Sequence, residues 1–310
     1  MAPTILLTGK NGQIGAELCR LLPTLGNLVS FGRHELDLSK PDSIRDAVRH
    51  LRPQLIVNAA AYTQVDQAEK EEPAAYAVNA EAPALLAEEA GKLGAVLVHY
   101  STDYVFDGSK NSPYDEADSP NPLNAYGRTK LAGEQAIRAS GVAHFIFRTS
   151  WVYAPRGRNF LLTILRLSTE RDELRVVSDQ RGAPTSSREI AAATLRVLAS
   201  LAARGWQPDS FSAVAGTYHM TAAGETSWHQ FAEAILEERS RVSSDVPWLA
   251  AATGNLPLLT RRVVPISTAE YPTPARRPAY SVLSNARLQQ TFGFQLPHWR
   301  DQLHSIFLPS

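Results

Sequence analysis

A single cysteine, Cys19, stands in a chain of 310 residues, so no intrachain disulfide can form, and this usage fits a reducing compartment. Its place in an apolar-periodic segment makes it a small buried side chain rather than a reactive thiol. Long hydrophobic runs are missing too: no window approaches the roughly 18 apolar residues of a membrane span. The opening MAPTILLTG has no basic segment ahead of its short apolar run, so it does not read as a secretory leader. A cytoplasmic chain with no membrane partner is expected.

Charge of one sign is also lacking, with 31 basic residues against 31 acidic ones. Nucleic-acid binding rests heavily on phosphate neutralisation, so no nucleic-acid partner is expected. The eight histidines are scattered without an H-E-x-x-H pair, and no G-x-S-x-G elbow occurs. Zinc chemistry and serine hydrolysis fall away, and no metal site is expected.

What is present is alternation. TILLTG (4–9), LVSFGR (28–33), QLIVNAA (54–60), AVLVHYST (95–102) and VAHFIFRTSWVY (142–153) are short apolar or β-branched runs that read as strands. Between them lie helical segments at 14–26, 41–53, 72–94 and 126–140, with Pro83 placed at a helix start. Parallel neighbours need crossovers, so this order predicts an α/β fold: a doubly wound parallel sheet of Rossmann type. After about residue 155 the alternation becomes irregular, although a helix at 188–205 is long enough to pack back on the sheet. The expected division is a cofactor domain of residues 1–155 plus roughly 186–215, and a smaller, discontinuous C-terminal substrate domain of roughly 156–185 and 216–310.

In such sheets ligands sit beyond the carboxyl ends of the strands. The first strand runs into TGKNGQIGAEL, where Gly9, Gly12 and Gly15 repeat every three residues between strand and helix. A glycine turn of this kind lets backbone N–H groups approach a pyrophosphate, so a dinucleotide site is expected there. Arg33, after the second strand, stands where an acidic residue would otherwise bind the adenosine ribose; an arginine accommodates a 2′-phosphate and points to NADPH, or to both nicotinamide cofactors. Asp37 meets the adenine edge or caps a turn. The alanines of VNAAAYTQVDQAE either let a cofactor lie close to the backbone or pack the core.

Tyr126 and Lys130 in NAYGRTK are four positions apart on a helix, hence on one face. With Thr102, after the fourth strand, they form the set that carbonyl reduction requires. Hydride arriving at a ketone carbon leaves negative charge on oxygen, which a tyrosine can neutralise by giving up its proton. A phenol with pKa about 10 must be tuned for this, and a lysine one turn away favours phenolate by its charge. Its ammonium can also hold ribose hydroxyls. Trp151 ends another strand as a substrate contact or a core aromatic, and Arg276 and Arg277 are diphosphate contacts or solvated loop residues.

Taken together, LLTGKNGQIGAEL, VNAAAYTQVDQAE, STDYVFDG, NPLNAYGRTKLAGE, RTSWVY, DQRGAPTS, TYHMTAAGETSWHQFA and RPAYSVLS make the chain resemble the sugar-nucleotide reductases of the extended short-chain dehydrogenase/reductase family. The resemblance implies NAD(P)H-dependent reduction of the 4-keto group of dTDP-4-dehydro-L-rhamnose to dTDP-L-rhamnose. It implies Tyr126 as proton donor, Lys130 as its partner and Thr102 completing the set. Gly12, Gln13, Ile14, Asp37, Leu38, Ala61, Tyr62, Thr63 and Tyr100 would line the cofactor, and Thr102, Asp103 and Trp151 would meet the dTDP-sugar. Some members bridge a dimer with Mg²⁺ through three glutamates. Here Glu17 matches the first while Arg188 and Ala286 replace the others, so a monomer or a homodimer without a magnesium bridge is expected. Tyr280 stands where the pattern usually has asparagine. Another reductase or epimerase of the same family, or a non-catalytic NADP-binding regulatory subunit, would carry much of the same pattern.

Overall fold

The buried strands alternate in which face each residue serves. Ile5 and Leu7 of β1 (Thr4–Thr8), Leu55 and Val57 of β3 (Leu55–Asn58), Val96 and Val98 of β4 (Val96–Thr102) and Phe145 and Phe147 of β5 (His144–Thr149) point into one core. Leu6, Ile56, Leu97 and Ile146 point into the other. Both faces are covered, as the near-continuous apolar runs require of parallel strands, and each such side chain contributes about 1.5–3 kcal/mol by leaving water. The computed structural model describes residues 2–202, 211, 213–242 and 246–308.

The crossovers are helical. They are α1 (Gln13–Leu21) before β2 (Asn27–Phe31), α2 (Pro41–Leu51) before β3, and α3 (Val65–Ala68), α4 (Glu72–Tyr76) and α5 (Ala82–Leu93) before β4. α6 (Ala125–Ala139) precedes β5. Pro83 is the second residue of α5, and one π turn, Ala77–Glu81, separates α4 from α5. Beyond β5 come β6 (Val152–Tyr153), α7 (Phe160–Ser168), β7 (Glu173–Val177), β8 (Arg181–Gly182), β9 (Thr185–Ser186) and α8 (Ser187–Ala202). They are followed by β10 (Gly216–His219), β11 (Thr226–Ser227) and β12 (Arg262–Ile266). The last expected turn of α8, residues 203–205, lies outside the described residues.

Six parallel strands form one sheet in the order β10-β5-β4-β3-β1-β2, which reverses between β1 and β3. This is the doubly wound Rossmann-type sheet that the alternation predicts, and all strand ends that carry candidate residues share one edge. β10 begins one residue past the boundary expected at about 215. The short run GTYH pairs with β5 and belongs to the sheet, and Leu288, Phe294 and Leu296 pack into the same core. Four residues flanked by loops are too few to show as a strand in the sequence.

A separate core joins Tyr153, Leu161, Leu165, Phe231, Ile235, Trp299 and Phe307. β7 pairs with β12, β8 with β11 and β6 with β9 as small ladders around it. Among the described residues no helix is long and apolar enough to cross a membrane.

Candidate active site

The turn after β1 can exist only with glycine. Gly9 has φ +76°, and a Cβ there would stand 2.7 Å from the Ala60 nitrogen; a Cβ on Gly15 would overlap the Gly9 carbonyl oxygen. The two glycines thus let strand, turn and helix close on one another. Gly12 is the N-cap of α1 and provides no side-chain cap, so the first N–H groups of this helix are left for a ligand. A Cβ at Gly12 would meet only the Gly9 oxygen, 3.2 Å away, and otherwise face open space. An uncapped helix start opened by glycine fits a dinucleotide pyrophosphate. Ile14 faces the core on the α1 side. Gln13 reaches the second lobe instead: it accepts from Asn159 Nδ2 at 2.8 Å and donates to the Val152 carbonyl at 3.4 Å.

At the end of β2, Arg33 is exposed, with no ion pair or hydrogen bond holding its guanidinium among the described residues. Asp37 caps its own turn: Oδ1 accepts from the Ser39 nitrogen (3.0 Å) and hydroxyl (2.7 Å), which hold the carboxyl below its ordinary pKa. Leu38 is buried in the core beside α2. After β3, Ala61 and Tyr62 are half-buried and Thr63 is exposed. Asn79, on the π turn, grips this loop through both Tyr62 backbone groups (2.9 and 3.0 Å) and also donates to Thr129 of α6 at 3.1 Å. Departures from regular helix often mark functional places, and this one ties the loop after β3 to α6.

The N-terminus of α6 is held from two sides. Asn124 Oδ1 accepts from the Gly127 nitrogen at 2.8 Å, and Glu69 Oε1 from the Ala125 nitrogen at 2.7 Å. This brings the half-buried Tyr126 phenol close to the Thr102 hydroxyl. Burial pushes the phenol up to about 12, Thr102 opposes that, and the neighbouring Asp103 charge adds to it. Asp103 is itself 2% exposed, and its Oδ1 accepts from Thr102 Oγ1 at 3.1 Å. Burial raises this carboxyl to about 7, with Ser281 and Thr102 pulling the other way.

Lys130 is buried and turned to β4. Its Nζ donates to the Tyr100 carbonyl at 2.5 Å and lies 3.1 Å from His99 Nε2. Burial lowers it to about 8, with Glu134 one turn on working against that. Tyr100 contributes its backbone to this arrangement, while its ring lies in the core and its hydroxyl meets Thr194 of α8 at 2.7 Å. Behind α6, Glu134 and Arg148 form a buried two-bond ion pair (2.7 and 2.9 Å) that fixes the helix to β5.

Trp151 follows β5 with φ +46°, a left-handed backbone rare for a bulky residue, and its ring stacks on Trp228. Gly182 is what leaves the ring its room, since a Cβ there would overlap the indole. Arg277 is committed: it pairs with Asp66 at 2.8 and 3.1 Å, and the Ala275 nitrogen donates to the same carboxylate at 3.1 Å. Arg276 is exposed, and among the described residues its guanidinium has no partner, while its carbonyl accepts from Asn124 Nδ2 at 2.8 Å.

The model of the RmlD substrate binding domain family matches residues 3–309. The chain belongs to this family. A dTDP-4-dehydrorhamnose reductase of Burkholderia thailandensis is 50% identical over 296 residues, covering 96% of this chain and 95% of the relative. Two solved structures, each 35% identical, align over nearly all of both chains. The dTDP-4-dehydrorhamnose reductase of Clostridium acetobutylicum has TM-score 0.85 and covers 98% of each chain. That of Bacillus anthracis, in complex with NADP, has TM-score 0.84 and covers 99% of each.

Within this RmlD-family chain the strand ends bring Gly9, Gly12, Arg33, Ala61, Thr102, Tyr126 and Trp151 to one edge of the sheet. The side chains of Tyr100, Asp37 and Leu38 are turned to other partners. Reading the sequence did not find Asn79, Trp228, Asp66 or His99. Only His99 left a signal, as a polar residue in the middle of the apolar run VLVHYST.

Proposed function

We propose that the chain reduces the 4-keto group of dTDP-4-dehydro-L-rhamnose to give dTDP-L-rhamnose, using NADPH or NADH. The observation that carries this reading is the meeting of the Tyr126 phenol with the Thr102 hydroxyl, at the same sheet edge as the uncapped glycine turn. Membership of the family and the NADP held by the Bacillus anthracis relative support it.

The first turn of α1 with Gly9 and Gly12 would hold the pyrophosphate, Arg33 a 2′-phosphate, and Lys130 the nicotinamide ribose hydroxyls. Bound there, the nicotinamide supplies the hydride. Tyr126 donates its phenolic proton to the sugar O4 as negative charge develops on that oxygen. The raised pKa keeps the phenol protonated beforehand. Thr102 orients the carbonyl, Asp103 lies beside it as a further sugar contact, and Trp151 walls the sugar side of the site.

Glu17 pairs with Arg20 at 3.7 Å, and Arg188 and Ala286 bring no carboxylate to it, so we assign either a monomer or a dimer without a magnesium bridge. A cytoplasmic setting is consistent with the lone cysteine.

The test is oxidation of NADPH, and separately of NADH, with freshly generated dTDP-4-dehydro-L-rhamnose, followed by identification of the product. Formation of dTDP-L-rhamnose is expected. No turnover, or an epimerised 4-keto product, overturns the assignment.

A further inference from the structure

Three neighbouring strands place a polar residue in the same row. Thr8 of β1 is in register with Asn58 of β3, and Asn58 with His99 of β4. All three are at most 2% exposed, and their side chains connect. Thr8 Oγ1 donates to Asn58 Oδ1 at 2.7 Å, Asn58 Nδ2 lies 3.1 Å from His99 Nδ1, and His99 Nε2 lies 3.1 Å from Lys130 Nζ. The chain thus runs from the last residue before the glycine turn to the lysine of the catalytic helix. None of these contacts is needed to hold an apolar sheet together, and buried polar groups of this kind are costly unless each is satisfied.

Counting protons constrains the chain. Burial, helped by the Lys130 charge, holds His99 well below its usual pKa, so the ring is neutral and carries one N–H. With Asn58 donating to Nδ1, that proton sits on Nε2 and points at Nζ, an arrangement that suits an uncharged amine. An ammonium has no lone pair to accept it. A charged Lys130 therefore requires the proton on Nδ1, and this in turn requires the Asn58 amide to turn over, showing Oδ1 to His99 and Nδ2 to Thr8.

We propose that His99 is a positioning residue for Lys130: its Nε2 accepts from the ammonium, its Nδ1–H donates to Asn58, and loss of the Lys130 proton reverses every bond back to Thr8. The Tyr100 carbonyl and His99 then fix two of the three ammonium N–H bonds, so the direction of the third is set for the cofactor side. This rests on the proposed reductase activity. The ionisable groups around Lys130 are Tyr126 and Glu134 on its own helix, one turn to either side, Arg148 on β5, which is paired with Glu134, and His99 on β4. β3 and β1 present only the neutral Asn58 and Thr8, and the π turn presents the neutral Asn79.

The experiment compares His99→Leu, which removes the acceptor, with His99→Gln, whose side-chain carbonyl can restore it. It reads kcat and KM across pH and the NADPH dissociation constant by fluorescence. In His99→Leu the alkaline limb of kcat should move down by about one pH unit or more, a tenfold loss on that limb. NADPH binding should weaken about threefold or more, because the ammonium loses a fixed direction. His99→Gln should recover most of both. An unmoved limb in folded His99→Leu, or a Gln variant as impaired as the Leu variant, overturns the proposal. Histidine ¹⁵N spectra of the wild-type protein decide the case without mutation. The Nδ1–H form should dominate near neutral pH and give way to Nε2–H as Lys130 titrates around pH 8, the value to which burial lowers it. An Nε2–H form unchanged across that range overturns it. Wild type without turnover would refute the functional reading alone, since the spectra and the NADPH titration do not depend on the sugar.

Discussion

The indole of Trp151 lies flat on that of Trp228, 3.5 Å between ring centroids and 7° between planes. Trp228 begins the helix Trp228–Arg241 of the second lobe, while Trp151 leaves the sheet. The stack therefore fixes this helix against the strand end that carries Trp151. Aromatic pairs of this kind contribute about 0.5–1.5 kcal/mol beyond their buried area. Trp228→Ala should raise KM for the sugar nucleotide about tenfold and change kcat less than about threefold, because the phenol and the cofactor turn are untouched. Steady-state kinetics check this; an equal fall in kcat would place Trp151 in the chemical step instead.

Tyr126→Phe keeps the ring and removes the proton. Turnover should fall by about 10²–10⁴, the usual size of a lost general acid. NADPH affinity should stay within about threefold, measured by fluorescence titration, since uniform binding is not what the hydroxyl supplies. Activity close to wild type would refute the proton-donor role.

Arg33 is exposed and, among the described residues, unpaired, which leaves it free to meet a 2′-phosphate. Arg33→Ala should raise KM for NADPH about tenfold while NADH kinetics stay within about twofold. Equal effects on both cofactors would show that the guanidinium acts on something they share.

Asp103 makes stability depend on pH in an unusual direction. Its folded value of about 7 is above the ordinary 3.8, so the folded chain keeps a proton that the unfolded chain has already released. Below about pH 4 both states are protonated and nothing is lost; stability falls as pH rises towards 7 and then levels off. Asp103→Asn, which never ionises, should match wild type in acid and exceed it by roughly 2–4 kcal/mol above neutrality. Urea melts at pH 4, 6 and about 8 measure the gap. A gap that does not widen with pH means that the carboxyl ionises freely where it is.

Most of the sheet and half of the site could be read from the chain because both rest on short-range signals. Strand and helix periods are local, Gly9 to Gly15 form one turn, and Tyr126 and Lys130 are one helical turn apart. What stayed hidden depends on register and long closure. His99 looked like a lone interruption of an apolar strand until β1, β3 and β4 aligned it with Thr8 and Asn58. Trp228 lies 77 residues past its stacking partner, and Asp66 lies 211 before Arg277, separations that no spacing rule spans. The same limit explains Lys130: the interval of four predicted its face correctly, but not that a carbonyl and an imidazole would claim its donors.

The Asp66–Arg277 pair has a consequence for the order of assembly. Bringing together residues so far apart is entropically expensive until the intervening chain is already compact. The glycine turn, made within the first 15 residues, can form early, whereas this pair closes only when residue 277 finds residue 66. In pulsed hydrogen exchange the Ala275 amide, bound to Asp66, should gain protection after the amides of β1 and β3. Dinucleotide affinity should return before turnover during refolding, so that a chain competent to hold its cofactor is for a time unable to use it.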